Sequence, residues 1–463
     1  NKKLHIKAFI LILPFNFIKE VKYMVKSDFK YLYNKISKSF KNNIWLKKHD
    51  INKEYVNLHM DSLEFNKKLS KMILNKDFSA KSTLQLCTNL LEKIYSIKNE
   101  EDFLNKVYNY CLNKTFPHID KISNDPNVDI CSEVFLKIFC IINDFEKNYD
   151  THNFKSKYPL NFLKEEEIQS LERPQEYKKF LANFKKDYIY EMMKLSEEIM
   201  GFNTLDHICG VHYLCLHIGR QLKALGIPID LGRVSGAGAG HDIGKYGCTG
   251  EDFKRVPHLH YYYTDQWFKK YDIPYIGNIA MNHSTWDLEV ENLSLESLIL
   301  IYSDFRVKNI KTKCGYKMHI YSLENSFYVI LNKLENLDEK KKKRYTTVYA
   351  KLKDFENYLI SLNININPDK NISTQPLQLK NIEYSLMQGE EIINSLKNIS
   401  IYHSIYLMHQ LRDEISLETI LDSARSERIG KILGSILEFF RNILLILLKN
   451  KKNKTLKFLI LKI

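Results

Sequence analysis

Gly236-Ala237-Gly238-Ala239-Gly240-His241-Asp242-Ile243-Gly244-Lys245 is the stretch on which the reading of this chain turns. Its five small residues let helices or a substrate approach closely. A vicinal His-Asp pair follows them directly. The run is not a Walker loop, because the lysine comes after the pair and no Gly-Lys-Ser/Thr occurs. Outward from the pair, His207 lies upstream and His260, His283 and Asp304 lie downstream. Four imidazoles and two carboxylates are ligand types for a divalent metal. The gaps between them are too long for a local metal loop. The ligands must therefore come from separate helices that converge.

The flanking periodicity fits that requirement. Leu205, Ile208, Val211, Leu214, Cys215, Ile218, Leu222 and Leu225 recur at helical spacing, and Gly226-Ile227-Pro228 ends the run. The pattern predicts further helices over 230–245, 261–271, 275–282 and 295–307. Lys245 falls three residues past Asp242, on the same face if that helix continues. A cation there could hold a phosphate or a ligating carboxylate. Arg306 is a second phosphate-binding candidate. In a vicinal pair the His can bind one ion while the Asp bridges to another, and two ions together activate a water and neutralise a phosphoryl oxygen. Asp242 and Lys245 are thus the catalytic candidates.

His207, then His241-Asp242-Ile243-Gly244-Lys245, then Asp304 resemble the ordered signature of the HD-domain metal-dependent phosphohydrolase superfamily, over residues 196–310. The resemblance implies a helical fold and hydrolysis of a phosphomonoester or phosphodiester. It implies His207, His241, Asp242 and Asp304 as core metal ligands and Lys245 as a phosphate contact. Asn282-His283-Ser284-Thr285-Trp286-Asp287 resembles the His-His-Glu-x-Trp-Asp segment of the HD-GYP branch, which hydrolyses cyclic dinucleotides. By that likeness His260 and His283 would serve a second metal. Asn282 and Ser284 depart from the segment. The Gly-Tyr-Pro triplet is absent, the chain reading Asp287-Leu288-Glu289-Val290.

Other histidines read as structural. His258 competes with His260, but spacing to His283 and the following helix favour His260. His212 and His217 lie five and ten residues past His207, which spreads them around that helix. His59, His118 and His152 stand alone.

Composition sets the frame. With 16 Gly and 10 Pro in 463 residues, long helices are favoured over a turn-rich β architecture. The expected class is all-α: a central HD-type helical bundle in 196–310, flanked by helical regions over 25–195 and 379–463. Residues 1–24 read as an extension, with Met24 a natural start. Lys2-Lys3 and the apolar Ala8 to Leu13 resemble a signal peptide, but Pro14 and Asn16 interrupt the run and no small-residue cleavage site follows. Residues 311–364 read as a helical hairpin around a solvated charged turn at 338–344, and 365–378, with Pro368 and Pro376, as a linker. The last stretch is a Leu, Ile and Lys tail with little amphipathic logic. Within it, Ile436 to Leu448 is broken by Glu438, Arg441 and Asn442 and falls short of the ~20 apolar residues of a membrane span.

A net charge of +14 attracts anions, yet Lys is spread along the chain with Asn and Ile, which marks a general surplus rather than a dedicated nucleic-acid face. The eight cysteines form no Cys-x-x-Cys and suit core packing in a reducing, cytoplasmic setting. The expectation is a metal-dependent phosphohydrolase of a nucleotide-type substrate, using two divalent ions drawn from Mn, Fe, Ni or Mg. The alternative is a nucleotide-sensing regulatory or scaffold protein whose helical flanks bind protein partners. A complete six-residue ligand set favours the enzyme, because sensing alone does not require two metals. A third reading, RNA attraction through the Lys surplus, is weaker.

Overall fold

A computed structural model describes residues 15–116, 125–147, 160–281, 283, 293–312, 315–333 and 338–368. Among these residues, seventeen α-helices and two short 3-10 helices accompany a single two-stranded sheet. The all-α expectation holds. The C-terminal helices expected beyond residue 378 lie outside the described residues, as do His118 and His152. No helix among the described residues is long and apolar enough to cross a membrane.

The chain divides into two compact units. The first takes Asn1–Pro159, Ala182–Cys209 and Ile310–Met318; the second takes Leu160–Leu181, Gly210–Asn309 and His319–Ile463.

The first unit carries α1 (Phe15–Asn42), α2 (Ile44–Lys48), α3 (Lys53–Asp61), α4 (Leu63–Asn75), α5 (Ala80–Leu91), α6 (Glu100–Thr115) and α7 (Pro126–Glu146). Short polar side chains set the breaks. Ser62 ends α3 through its backbone N–H and starts α4 by accepting from the Phe65 N–H. α5 starts at Ala80 with Ser79 as its N-cap; Thr83 turns its hydroxyl back onto the Ser79 carbonyl at 2.9 Å. Capping wins here because an orphan N–H at a helix start needs an oxygen. Pro126 sits in the first turn of α7, where its missing N–H costs nothing. Phe135, Ile138, Phe139 and Ile142 of α7 are fully buried, and Phe135 stacks on Phe139 at 5.5 Å. His59 is a core histidine, its Nε2 donating to the Leu86 carbonyl at 2.9 Å.

One ion pair lies inside this apolar packing. Lys194, on α10 (Ile189–Met200) after α8 (Glu165–Gln169) and α9 (Pro174–Lys186), is completely buried. It donates to the Glu146 carboxylate, to Asn143 Oδ1 at 2.9 Å and to the Phe78 carbonyl at 3.0 Å. All three ammonium donors are thus satisfied, which a buried charge requires.

The second unit contains α11 (Leu205–Ala224) from Gly210 onward, α12 (Leu231–Gly240), α13 (Val256–Lys270), α14 (Pro274–Met281), α15 (Leu295–Arg306), α16 (Leu323–Lys333) and α17 (Glu339–Ser361). The glycines of α12 are contact surfaces. A Cβ on Gly236 would lie 2.6 Å from Ile276, and one on Gly240 would lie 2.8 Å from Phe268. Bare backbone is what lets α13 and α14 pack against α12 this closely. Phe180 stacks on Phe268 at 6.1 Å and meets Trp267 edge-on at 5.9 Å behind them.

Three expectations change here. The helix over 230–245 stops at Gly240, and Ile243–Gly247 forms a 3-10 turn. The hairpin over 311–364 keeps both helices, but Gly315–Ile320 is a strand (β2) paired with β1 (Val307–Thr312). The charged run at 338–344 is not a turn: Asp338 accepts from the Lys341 N–H at 2.7 Å and caps α17, so the lysines occupy its first turns. Asn365, at the start of the expected linker, is tied down by hydrogen bonds. The Asn365 carbonyl accepts from His217 at 2.6 Å and from Gln221 at 3.0 Å, and the Asn365 N–H donates to Gln221 at 2.8 Å.

Lys194→Met removes the ammonium that meets the Glu146 carboxylate in the core and is expected to cost about 3–5 kcal/mol of stability. Lys194→Met with Glu146→Leu is expected to recover most of that loss. Urea denaturation followed by circular dichroism measures both; equal losses in the single and double variants would contradict the pairing.

Candidate metal centre

The centre is built at helix ends. His241 is the C-cap residue of α12, and Asp242 opens the 3-10 turn. His260 lies in the second turn of α13, His283 just beyond α14, and Asp304 near the end of α15. Asp242, His260 and His283 are all buried, and one ligand atom from each lies within 4.8 Å of the others. His241 and Asp304 likewise bring donor atoms within 4.8 Å of each other. Five of the six expected ligands thus meet within the second unit. His207 is half-buried in the first turn of α11, on the part of that helix that belongs to the first unit.

The rings are oriented by their own backbones. His241 Nδ1 donates to the Gly238 carbonyl at 3.0 Å, His260 Nδ1 to Val256 at 2.7 Å, and His283 Nδ1 to Ala280 at 2.6 Å. A carbonyl only accepts, so each Nδ1 carries the proton and each Nε2 presents a lone pair. Those three Nε2 atoms surround one carboxylate. They lie 3.5 Å (His241), 3.6 Å (His260) and 3.8 Å (His283) from the oxygens of Asp242. His260 Nε2 and His283 Nε2 face each other at 3.2 Å. Two lone pairs at that distance repel unless a cation or a proton sits between them. Burial pushes His260 down to about 3, against the pull of Asp242, and burial also lowers His283. At neutral pH both rings are neutral, the form that binds metal. The donor set therefore fits a divalent ion of the nitrogen-oxygen class.

Lys245 reaches Asp242 although α12 does not continue. Its Nζ donates to Asp242 Oδ2 at 2.5 Å, because the 3-10 turn places residues three apart in line. Burial lowers the Lys245 pKa, but the Asp242 carboxylate outweighs it and the net shift is upward. Arg306 departs from the phosphate-contact expectation. Its guanidinium is buried and donates to the Tyr321 carbonyl (2.7 Å), Tyr302 Oη (2.9 Å), the Ile366 carbonyl (2.8 Å) and Asn367 Oδ1 (2.7 Å). It is a structural tie.

His212 and His217 make contacts elsewhere. His212 is buried with Nε2 2.9 Å from Ser235 Oγ, and His217 Nε2 donates to Asn365. Cys209, Cys215 and Cys248 are buried thiols not joined in disulfides. The side chain of His258, and Asn282 and Ser284 to Asp287, lie outside the described residues.

Three contributors carry weak or no sequence signal. Thr264 is fully buried on α13; its Oγ1 accepts from Gly244 N at 3.1 Å and donates to the His241 carbonyl at 3.1 Å. It pins the His-Asp turn to the helix that carries His260. Tyr261 packs its ring on His260 at 3.9 Å and on His283 at 4.7 Å. Lys308 donates to the Asp304 carbonyl at 2.6 Å. The i+4 spacing of Lys308 from Asp304 was its one visible trace.

No family model matches the chain, and no match was found among curated proteins or solved structures.

A Cβ on Gly244 would lie 1.9 Å from the His260 carbonyl oxygen and 2.5 Å from the Thr264 nitrogen. Both are backbone atoms, so Gly244→Ala is expected to cost on the order of 3 kcal/mol and to weaken metal retention, read by denaturation and elemental analysis. His212 is held at about 3 by burial, with a smaller effect of Arg220. Its unfolded value is about 6.5, so the unfolded chain binds the extra proton between those pH values. The stability it contributes is complete above about pH 6.5 and is lost as pH falls towards 3. His212→Gln is expected to flatten the stability–pH curve in that window. An unchanged slope would refute this.

Proposed function

We propose that the chain is a metal-dependent phosphohydrolase of the HD-domain type, cleaving a phosphomonoester or phosphodiester bond of a nucleotide-type substrate. The observation that carries this reading is the facing pair of His260 and His283 Nε2 atoms, 3.2 Å apart with both Nδ1 protons committed to carbonyls. A bound cation would relieve the repulsion between those lone pairs. The reading assigns one ion to Asp242, His260 and His283, and a second to His241 and Asp304. Nitrogen and oxygen donors without thiolate suit Mn, Fe, Ni or Mg.

Such ions, when bound, acidify a water and neutralise developing charge on a phosphoryl oxygen. Asp242 stands between the two groups, its Oδ2 on the His241 side and its Oδ1 on the side of His260 and His283. Lys245 holds the Asp242 carboxylate and offers its remaining N–H donors to a substrate phosphate. Thr264 keeps the turn in register. The Gly-Tyr-Pro triplet is missing, which leaves cyclic dinucleotides without specific support. A cytoplasmic setting agrees with the buried thiols not joined in disulfides.

The purified chain is expected to contain divalent metal and to hydrolyse p-nitrophenyl phosphate or bis-p-nitrophenyl phosphate when supplied with Mn, Fe, Ni or Mg. Asp242→Ala is expected to lose the metal and at least about a hundredfold in rate. Full turnover in that variant would end the enzyme reading.

A further inference from the structure

We infer that Lys308 is a second phosphate-binding lysine, and that with Lys245 it tunes the site to a doubly charged terminal phosphate in preference to a singly charged diester. This inference rests on the metal-dependent phosphohydrolase reading and narrows its substrate class.

Lys308 is the second residue of β1, one helical turn beyond Asp304. Its Nζ donates to the Asp304 carbonyl at 2.6 Å and lies 3.8 Å from Asp304 Oδ1. Its side chain is 19 % exposed and that of Asp304 27 %, so this is not a solvated surface pair. The carbonyl uses one of three ammonium donors. Lys245 stands in the same relation to the other carboxylate, at 2.5 Å from Asp242. The four groups share one electrostatic neighbourhood: burial lowers the pKa of both lysines and the two carboxylates oppose it, leaving Lys308 lowered and Lys245 raised.

The consequence is a charge count. Each carboxylate of the proposed ligand set has its own lysine, and the histidines are neutral. The protein therefore cancels none of the charge that bound divalent ions bring. That positive charge is left for the substrate to neutralise, and in a poorly solvated site a dianion complements it better than a monoanion. A phosphomonoester carries its second charge at neutral pH and above, whereas a diester cannot.

The test uses the full chain loaded with Mn as wild type, Lys308→Met and Lys308→Arg. Calorimetry measures binding of orthophosphate and of dimethyl phosphate at about pH 8, where the first is mainly a dianion and the second a monoanion. Bound metal is measured on the same samples. Wild type is expected to bind orthophosphate at least about tenfold more tightly than dimethyl phosphate. Lys308→Met is expected to lose about tenfold for orthophosphate and less than about threefold for dimethyl phosphate, with its metal retained. Lys308→Arg is expected to keep most of the preference. Equal wild-type affinities overturn the inference, as does a Lys308→Met variant with unchanged orthophosphate binding. If Lys308→Met does not fold, Lys308→Gln replaces it and the wild-type preference still decides. Failure of the wild type to bind any of Mn, Fe, Ni or Mg instead removes the phosphohydrolase reading itself; bound metal without phosphate discrimination removes only this one.

Discussion

Three imidazole nitrogens turned towards one buried carboxylate form an arrangement that water would dissolve and that packing alone does not explain. It persists because each ring is fixed from behind. His241, His260 and His283 all spend their Nδ1 proton on a carbonyl three or four residues earlier in the chain. Helical geometry supplies that carbonyl at the correct distance, so no second side chain is needed to set the tautomer. In many metal sites a carboxylate does this work from another part of the fold. Here the orienting group is local, and the ligand geometry follows from where α12, α13 and α14 end or begin. Gly244 and Thr264 then bring these helix ends together by letting backbone meet backbone.

The two units solve the burial of charge differently. In the first, Lys194 and Glu146 neutralise each other, with Asn143 and a backbone carbonyl completing the ammonium shell. Nothing about that pair is open to a ligand. In the second, Asp242 has a lysine on one side and lone pairs on the other. The first arrangement is closed and structural. The second still has coordination to offer, and this separates a core ion pair from a candidate centre.

Much of the centre was legible in the sequence because its chemistry needs particular side chains. Asp242, His260 and His283 were identified by type and order, and the structure brings them together. The all-α class was legible because apolar spacing repeats and chain breakers are few. Helix limits were less so. The end of α12 at Gly240 is set by docking of the turn onto α13, a tertiary contact that no local pattern encodes. β2 formed in a stretch read only as part of a helical hairpin. Arg306 was misread for the opposite reason. A guanidinium two residues from a ligand candidate suggested a phosphate contact, but its acceptors lie up to 61 residues away in sequence.

That guanidinium has a further meaning for the limits of the unit. Arg306 immediately follows Asp304 and Phe305, and two of its acceptors are Ile366 and Asn367. Asn365 is fastened to His217 and Gln221 of α11. The few residues after α17 thus act as a strap across two helices of the second unit. A shortened version of the protein cut at Ser361 would retain every expected ligand and every helix of the centre. It would nonetheless leave a buried guanidinium with open donors on the helix that carries Asp304. The working boundary of any such fragment is therefore Asn367, set by hydrogen bonding rather than by the last helical residue.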